Sequence, residues 1–123
     1  MYRYYNPNPT GRSVGDCAIR AVTKALNITW DEAYNLIADA GRKMGDMPSS
    51  DSVWGAVLRM HGFHREILPN TCPDCYTAQD FCWDNPVGIY VLGFGGHVAT
   101  VKDGVLFDSW NSSDLVPQYY WTR

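Results

Sequence analysis

The dipeptide Asp103-Gly104 lies between two runs, His97-Val-Ala-Thr-Val-Lys102 and Val105-Leu-Phe-Asp108. Asp-Gly between alternating apolar residues is a strong short-range signal for a β-hairpin. No other feature constrains the fold as tightly, because a two-residue loop fixes strand register. Lys102 then faces Val105, Ala99 faces Asp108 and His97 faces Trp110. His97 and Asp108 become diagonal neighbours on one face, a separation that long side chains span. The small side chain of Ala99 leaves the imidazole room to lean toward the acid, with the indole of Trp110 beside them.

A second constraint comes from the segment Ser13-Val-Gly-Asp-Cys-Ala-Ile-Arg-Ala-Val-Thr-Lys-Ala-Leu26. It passes from a glycine-containing loop into an amphipathic helix at Asp16, a residue type suited to the N-cap. Ala18, Ile19, Val22, Ala25 and Leu26 recur at helical spacing and bury one face. Cys17 therefore falls in the first turn, where free N–H groups and the helix dipole favour thiolate over thiol. Cysteine, then histidine, then acid is an order suited to nucleophilic thiol chemistry. In such chemistry Cys17 would attack, His97 would carry the proton and Asp108 would fix the imidazole. Asn111 is the rival to Asp108 for the third place.

The arrangement resembles the papain-like cysteine peptidase superfamily. Gly-Asp-Cys17-Ala-Ile-Arg-Ala is similar to its nucleophile segment, Gly-Gly-His97-Val-Ala-Thr-Val to its histidine strand, and Asp108-Ser-Trp110 to the Asn-Ser-Trp of papain. In size and motifs the chain resembles small phage and bacterial members. The resemblance covers most of the chain in outline, although only about twenty residues carry specific motifs. It implies a nucleophile at the start of a central helix, a histidine and a third residue on successive strands, and Trp110 shielding the third residue's hydrogen bond. The family's glutamine oxyanion donor, about six residues before the cysteine, is replaced here by Gly11. Asn8, Arg12 and Ser13 are the side-chain donors nearby, and the Cys17 N–H is the safer one.

The rest of the chain reads as helices followed by strands. Residues 1–15 carry prolines, glycines and asparagines and read as extended or looped. Thr29-Trp-Asp-Glu32 is a capping box opening a second helix, continued by Ala33, Ile37 and Ala38. Gly45 to Ser50 is a loop, and a third helix spans Ser50 to His61 until Gly62 stops it. Phe63 to Leu68 is a strand, Pro69 to Asp74 a turn-rich loop, and Thr77 to Trp83 a short helix. Val87 to Leu92 is a strand leading to His97, and Gln118 to Trp121 a last one. The fold class expected is α+β, N-terminal helices packed on a C-terminal antiparallel sheet, in one domain over residues 1–123.

Composition narrows the function classes. Aromatic residues make up 14% of the chain and charged ones only 19%, which excludes a disordered polypeptide. A net charge of −3 without a basic run gives no reason to expect nucleic acid. The N-terminus has no apolar signal-peptide core, and the apolar run Val87 to Phe94 is too short for a membrane span. The expectation is a cytoplasmic protein of a bacterium or a phage-infected cell, acting on a peptide or protein without a cofactor. The Asn27 and Asn111 sequons carry no meaning in that compartment.

Two alternatives remain. The triad order serves transglutaminase and acyltransferase chemistry equally well. A non-catalytic binding module is the other, since eight tyrosines and five tryptophans suit a recognition surface. Zinc on His61, His64, Cys72 and Cys75, spaced H-x2-H and C-x2-C, would stabilise such a module. Cys72 and Cys75 also read as a redox pair or a disulfide, and Cys82 as core.

Overall fold

The Asp103-Gly104 turn forms with both residues at positive φ, 49° and 75°, as a two-residue hairpin loop demands. It joins β4 (His97–Lys102) to β5 (Val105–Asp108). Lys102 pairs with Val105, Val101 with Leu106 and Thr100 with Phe107, the register read from the sequence. The computed structural model describes residues 1–123. Its other elements are β1 (Tyr2–Tyr4), α1 (Cys17–Leu26), α2 (Trp30–Met44), α3 (Asp51–Met60), β2 (His64–Ile67), α4 (Ala78–Asp84), β3 (Ile89–Phe94) and β6 (Tyr119–Thr122).

The fold is α+β, with one six-stranded sheet in the order β1-β5-β4-β3-β6-β2. The expected antiparallel sheet needs correction at one edge. β1 pairs parallel to β5, with Tyr4 beside Asp108, so the sheet is mixed. Residues expected to lack regular structure thus cover a strand edge that would otherwise expose a row of unpaired amides and carbonyls. The Leu106 N–H donates to Met1 O and the Tyr5 N–H to Asp108 O, each at 2.7 Å. Three residues are too few for a sequence period to show.

Helices cover both faces of the sheet. On one face, Ala21, Val22 and Ala25 of α1 pack with Val91, Val98 and Trp121 and with α2 and α3. Thr100 Oγ1 donates to Ala21 O at 2.7 Å in the buried seam between α1 and β4. On the other face, Phe81 and Cys82 of α4 pack against Leu92, Phe94, Ala99, Val101 and Leu106. The capping box at Thr29 is present: Glu32 N–H donates to Thr29 Oγ1, and Thr29 N–H to Glu32 Oε1, both at 3.1 Å. A second one, between Thr77 and Asp80, opens α4. No helix is long and apolar enough to cross a membrane.

β3 runs on to Phe94, past the Leu92 limit read from the sequence. Gly93 permits this, because the Tyr119 ring from β6 lies over it; a Cβ there would sit 2.1 Å from the ring. Gly93→Ala should therefore lower stability by about 1–3 kcal/mol or more, the cost of overpacking a core. Gly95→Ala meets only the flexible end of Gln118 at 3.7 Å and should change stability little. Urea midpoints of the two variants check this; equal midpoints would refute the packing account.

Candidate active site

Asp108 ends β5 with its side chain fully buried. A carboxylate without water needs donors, and four surround this one. His97 Nε2 lies 2.7 Å from Oδ2, and Ser112 Oγ donates to Oδ2 at 2.5 Å. Arg20 Nη2 donates to Oδ1 at 3.1 Å and the Ser109 N–H at 2.8 Å. Burial pushes its pKa up, but the hydrogen bonds from His97, Ser112 and Ser109 and the His97 charge outweigh it and hold the group below its ordinary value. The rival third residue, Asn111, is exposed and accepts only the Ser113 N–H, at 3.1 Å.

His97 opens β4, with Trp110 tilted against its ring at 4.8 Å between centroids and Phe94 on it at 5.9 Å. Burial opposes its charged form. Hydrogen bonding to Asp108 and to Cys17, with their negative charges, prevails and raises the imidazole pKa to about 9. Because Nε2 is held by Asp108, Nδ1 is the nitrogen left for the thiol.

Cys17 is the first residue of α1 and half-buried. Burial pushes its thiol up, yet the net shift is downward. The neighbouring His97 imidazole and Val98 backbone amide, with the charges of His97 and Arg20, favour thiolate. At Cys82, on α4, burial outweighs the charge and hydrogen bond of the N-terminal ammonium group, and its thiol is raised. The same side chain is thus biased toward the nucleophilic form at one position and away from it at the other.

Sequence reasoning missed Arg20. It is buried on α1 and bridges two acids, Nη1 to Asp16 Oδ1 at 2.6 Å and Nη2 to Asp108 Oδ1 at 3.1 Å. Asp16 occupies the N-cap position as expected, but its side chain makes no capping bond. It accepts from Arg20 and, at 2.9 Å, from Trp30 Nε1 on α2. Asp16, Arg20, Asp108, His97 and Cys17 therefore form a chain of alternating charge across the seam between α1 and the hairpin. The spacing of Asp16 and Arg20, one helical turn apart, was the available signal; Ser112 offered none.

The expected oxyanion side chains are not gathered at the sulfur. Ser13 is exposed and makes no side-chain hydrogen bond. Asn8 turns its oxygen to Thr10, accepting from N–H at 2.9 Å and Oγ1 at 2.8 Å. With Arg12 it lines a groove on the Trp30 side of Asp16. The N–H groups of Cys17, Ala18 and Ile19 have no acceptor within the chain, the first intrahelical bond being Arg20 N–H to Asp16 O. Free donors beside Cys17 thus come from the backbone. A cavity of about 280 Å³ opens beside them, bounded by Cys17, His97, Ile37, Asp51, Trp54 and Phe94.

The histidine–cysteine quartet does not converge. Cys72 and Cys75 are joined in a disulfide, which removes both thiolate ligands. His61 Nδ1 bonds Val57 O at 2.8 Å, and His64 lies 3.5 Å from Glu66. Cys82 is core, as expected. No family model, curated protein or solved structure matches the chain.

Two consequences are measurable. Arg20→Met leaves two buried carboxylates without their shared counter-ion and should cost about 3–5 kcal/mol; a loss below about 0.5 kcal/mol, typical of surface changes, would contradict the network. Arg20→Lys, which keeps the charge but not the two-pronged reach, should lose less. Stability should also depend on pH with a definite sign. The raised His97 pKa makes its contribution complete below 6.5 and lost as pH rises through about 9. Asp108, depressed, contributes fully above 3.8 and loses that contribution as pH falls through its lowered value. The difference in unfolding free energy between wild type and His97→Ala should thus be larger near pH 6 than above pH 9; a difference that grows with pH would reverse the assignment.

Proposed function

We propose that this chain is a small papain-like cysteine hydrolase that cleaves peptide or isopeptide bonds through a thioester acyl-enzyme. The observation that carries the reading is one geometry. A thiol held below its ordinary pKa faces an imidazole whose far nitrogen is 2.7 Å from a fully buried carboxylate. A structural cysteine has no need of that environment.

The chemistry follows from the groups present. The Cys17 thiolate adds to the carbonyl carbon, and the carbonyl electron pair moves onto oxygen. The Cys17 N–H, free at the helix start, donates to that oxyanion. His97 gives its Nδ1 proton to the departing amine, the C–N bond breaks and a thioester remains. Water then loses a proton to His97 and adds to the thioester. Collapse expels the Cys17 sulfur and frees the acid. Asp108 stays ionised throughout, fixing the tautomer and offsetting the imidazolium charge. An amine in place of water would give transferase chemistry with the same residues.

A peptide library analysed by mass spectrometry, with Cys17→Ala as control, tests the reading. Cleavage should occur with wild type and fall by at least about 10³-fold in the variant; equal cleavage by both would sink the nucleophile assignment. Asp108→Asn should reduce kcat/KM and Asp108→Ala should reduce it further, since only asparagine still accepts the imidazole N–H. Asn111→Ala should retain activity. If Asn111→Ala proves the more damaging alanine change, Asp108 is not the third member.

A further inference from the structure

The cavity beside Cys17 has a chemistry of its own. Its inner wall is apolar, with Ile37 and Trp54 almost entirely buried at 1% and 2% exposure. Its rim on the α2–α3 side carries Ser49 and Asp51. No lysine or arginine lines it, and the cationic imidazole on its wall, His97, is paired with Asp108 at 2.7 Å. The other carboxylate there, Asp16, is already neutralised by Arg20 at 2.6 Å. Asp51 has no cationic partner within salt-bridge distance. Its Oδ1 accepts from Trp54 Nε1 at 3.2 Å, which holds the carboxylate against the apolar wall and leaves Oδ2 free. Part of its charge offsets the N-terminal dipole of α3, where it is the first residue. That role does not need the cavity, and the exposed Asp51 carboxylate stands at the cavity's edge with one oxygen unpaired.

At about 280 Å³ the space is just below the range of drug-sized ligand pockets and suits a single large side chain. An apolar wall ending in one uncompensated carboxylate matches a side chain with an aliphatic stem and a cationic head, which buries its methylenes and presents its charge at the rim. We propose that this cavity is a specificity pocket for a lysine or arginine side chain of the substrate, with Asp51 receiving the charged head. The inference rests on Cys17 being the nucleophile, as argued above, and adds the substrate class.

The test uses alkylation of Cys17, which needs no knowledge of the cleaved bond. The whole protein is treated with iodoacetamide, with N-alkyl iodoacetamides and with N-(aminoalkyl) iodoacetamides of matched lengths. Rates at Cys17 are read by mass spectrometry and divided by the iodoacetamide rate of the same protein. At the best-fitting length the cationic reagent should react about tenfold faster than its neutral partner, between the value of an exposed ion pair and that of a partly buried one. Asp51→Asn, which can still accept from Trp54, should bring the ratio near one, and Asp51→Lys should invert it. Equal rates in wild type, a faster neutral reagent at every length, or a ratio untouched by Asp51→Asn would each overturn the pocket assignment and leave the nucleophile standing. Iodoacetamide reacting no faster with Cys17 than with a free cysteine would overturn the nucleophile reading, and this inference with it.

Discussion

The buried charge of Asp108 is the constraint on which the rest of the structure depends. An isolated carboxylate with no solvent contact would be far too costly to keep ionised. Its donors come from β4, from α1 and from the loop after β5. Its carbonyl is held as well, by the Tyr5 N–H at 2.7 Å and the Tyr2 hydroxyl at 3.2 Å. One residue thus ties the N-terminal strand, the first helix and the hairpin to a single point. That point is also where the thiol and the imidazole meet. Fold and site share their most expensive interaction, so weakening it should affect both.

What the sequence made legible was local. Asp103-Gly104 set the hairpin register because turn geometry leaves no alternative, and the register placed His97 near Asp108. Thr29 and Glu32 announced a helix start because each satisfies the other's backbone. Cys17 could be placed in a first turn from the apolar period after it. What stayed hidden depends on distant partners. Arg20 carries no local mark of its role beyond its spacing from Asp16; only the approach of Asp108, 88 positions away, makes it a buried bridge. Asp16 looks like a cap, but Arg20 and Trp30 compete for its oxygens and win, leaving the helix N–H groups free at the site. β1 was invisible because its pairing is parallel, short and made across the whole length of the domain. The four potential metal ligands showed spacing alone, and the Cys72–Cys75 disulfide removed half of them.

The two free cysteines show why environment matters more than residue type. Cys17 and Cys82 both lose water, and burial alone would raise both thiols. At Cys17 a charged imidazole, a backbone amide and the Arg20 guanidinium reverse that outcome. At Cys82 burial prevails. The alternating chain from Asp16 to Cys17 supplies the reversal while keeping each buried charge beside its opposite. In this arrangement Arg20 has two effects. It neutralises Asp108, and its positive charge also favours the thiolate.

A thiol lowered by the imidazole beside it should titrate together with His97. The most direct measurement is the ultraviolet thiolate absorbance of wild type against pH, with Cys17→Ala subtracted. The thiolate should persist below the ordinary thiol value of 9.0 and move back toward it in His97→Ala. A Cys17 thiol that titrates at or above 9.0, unchanged by loss of the imidazole, would contradict that coupling.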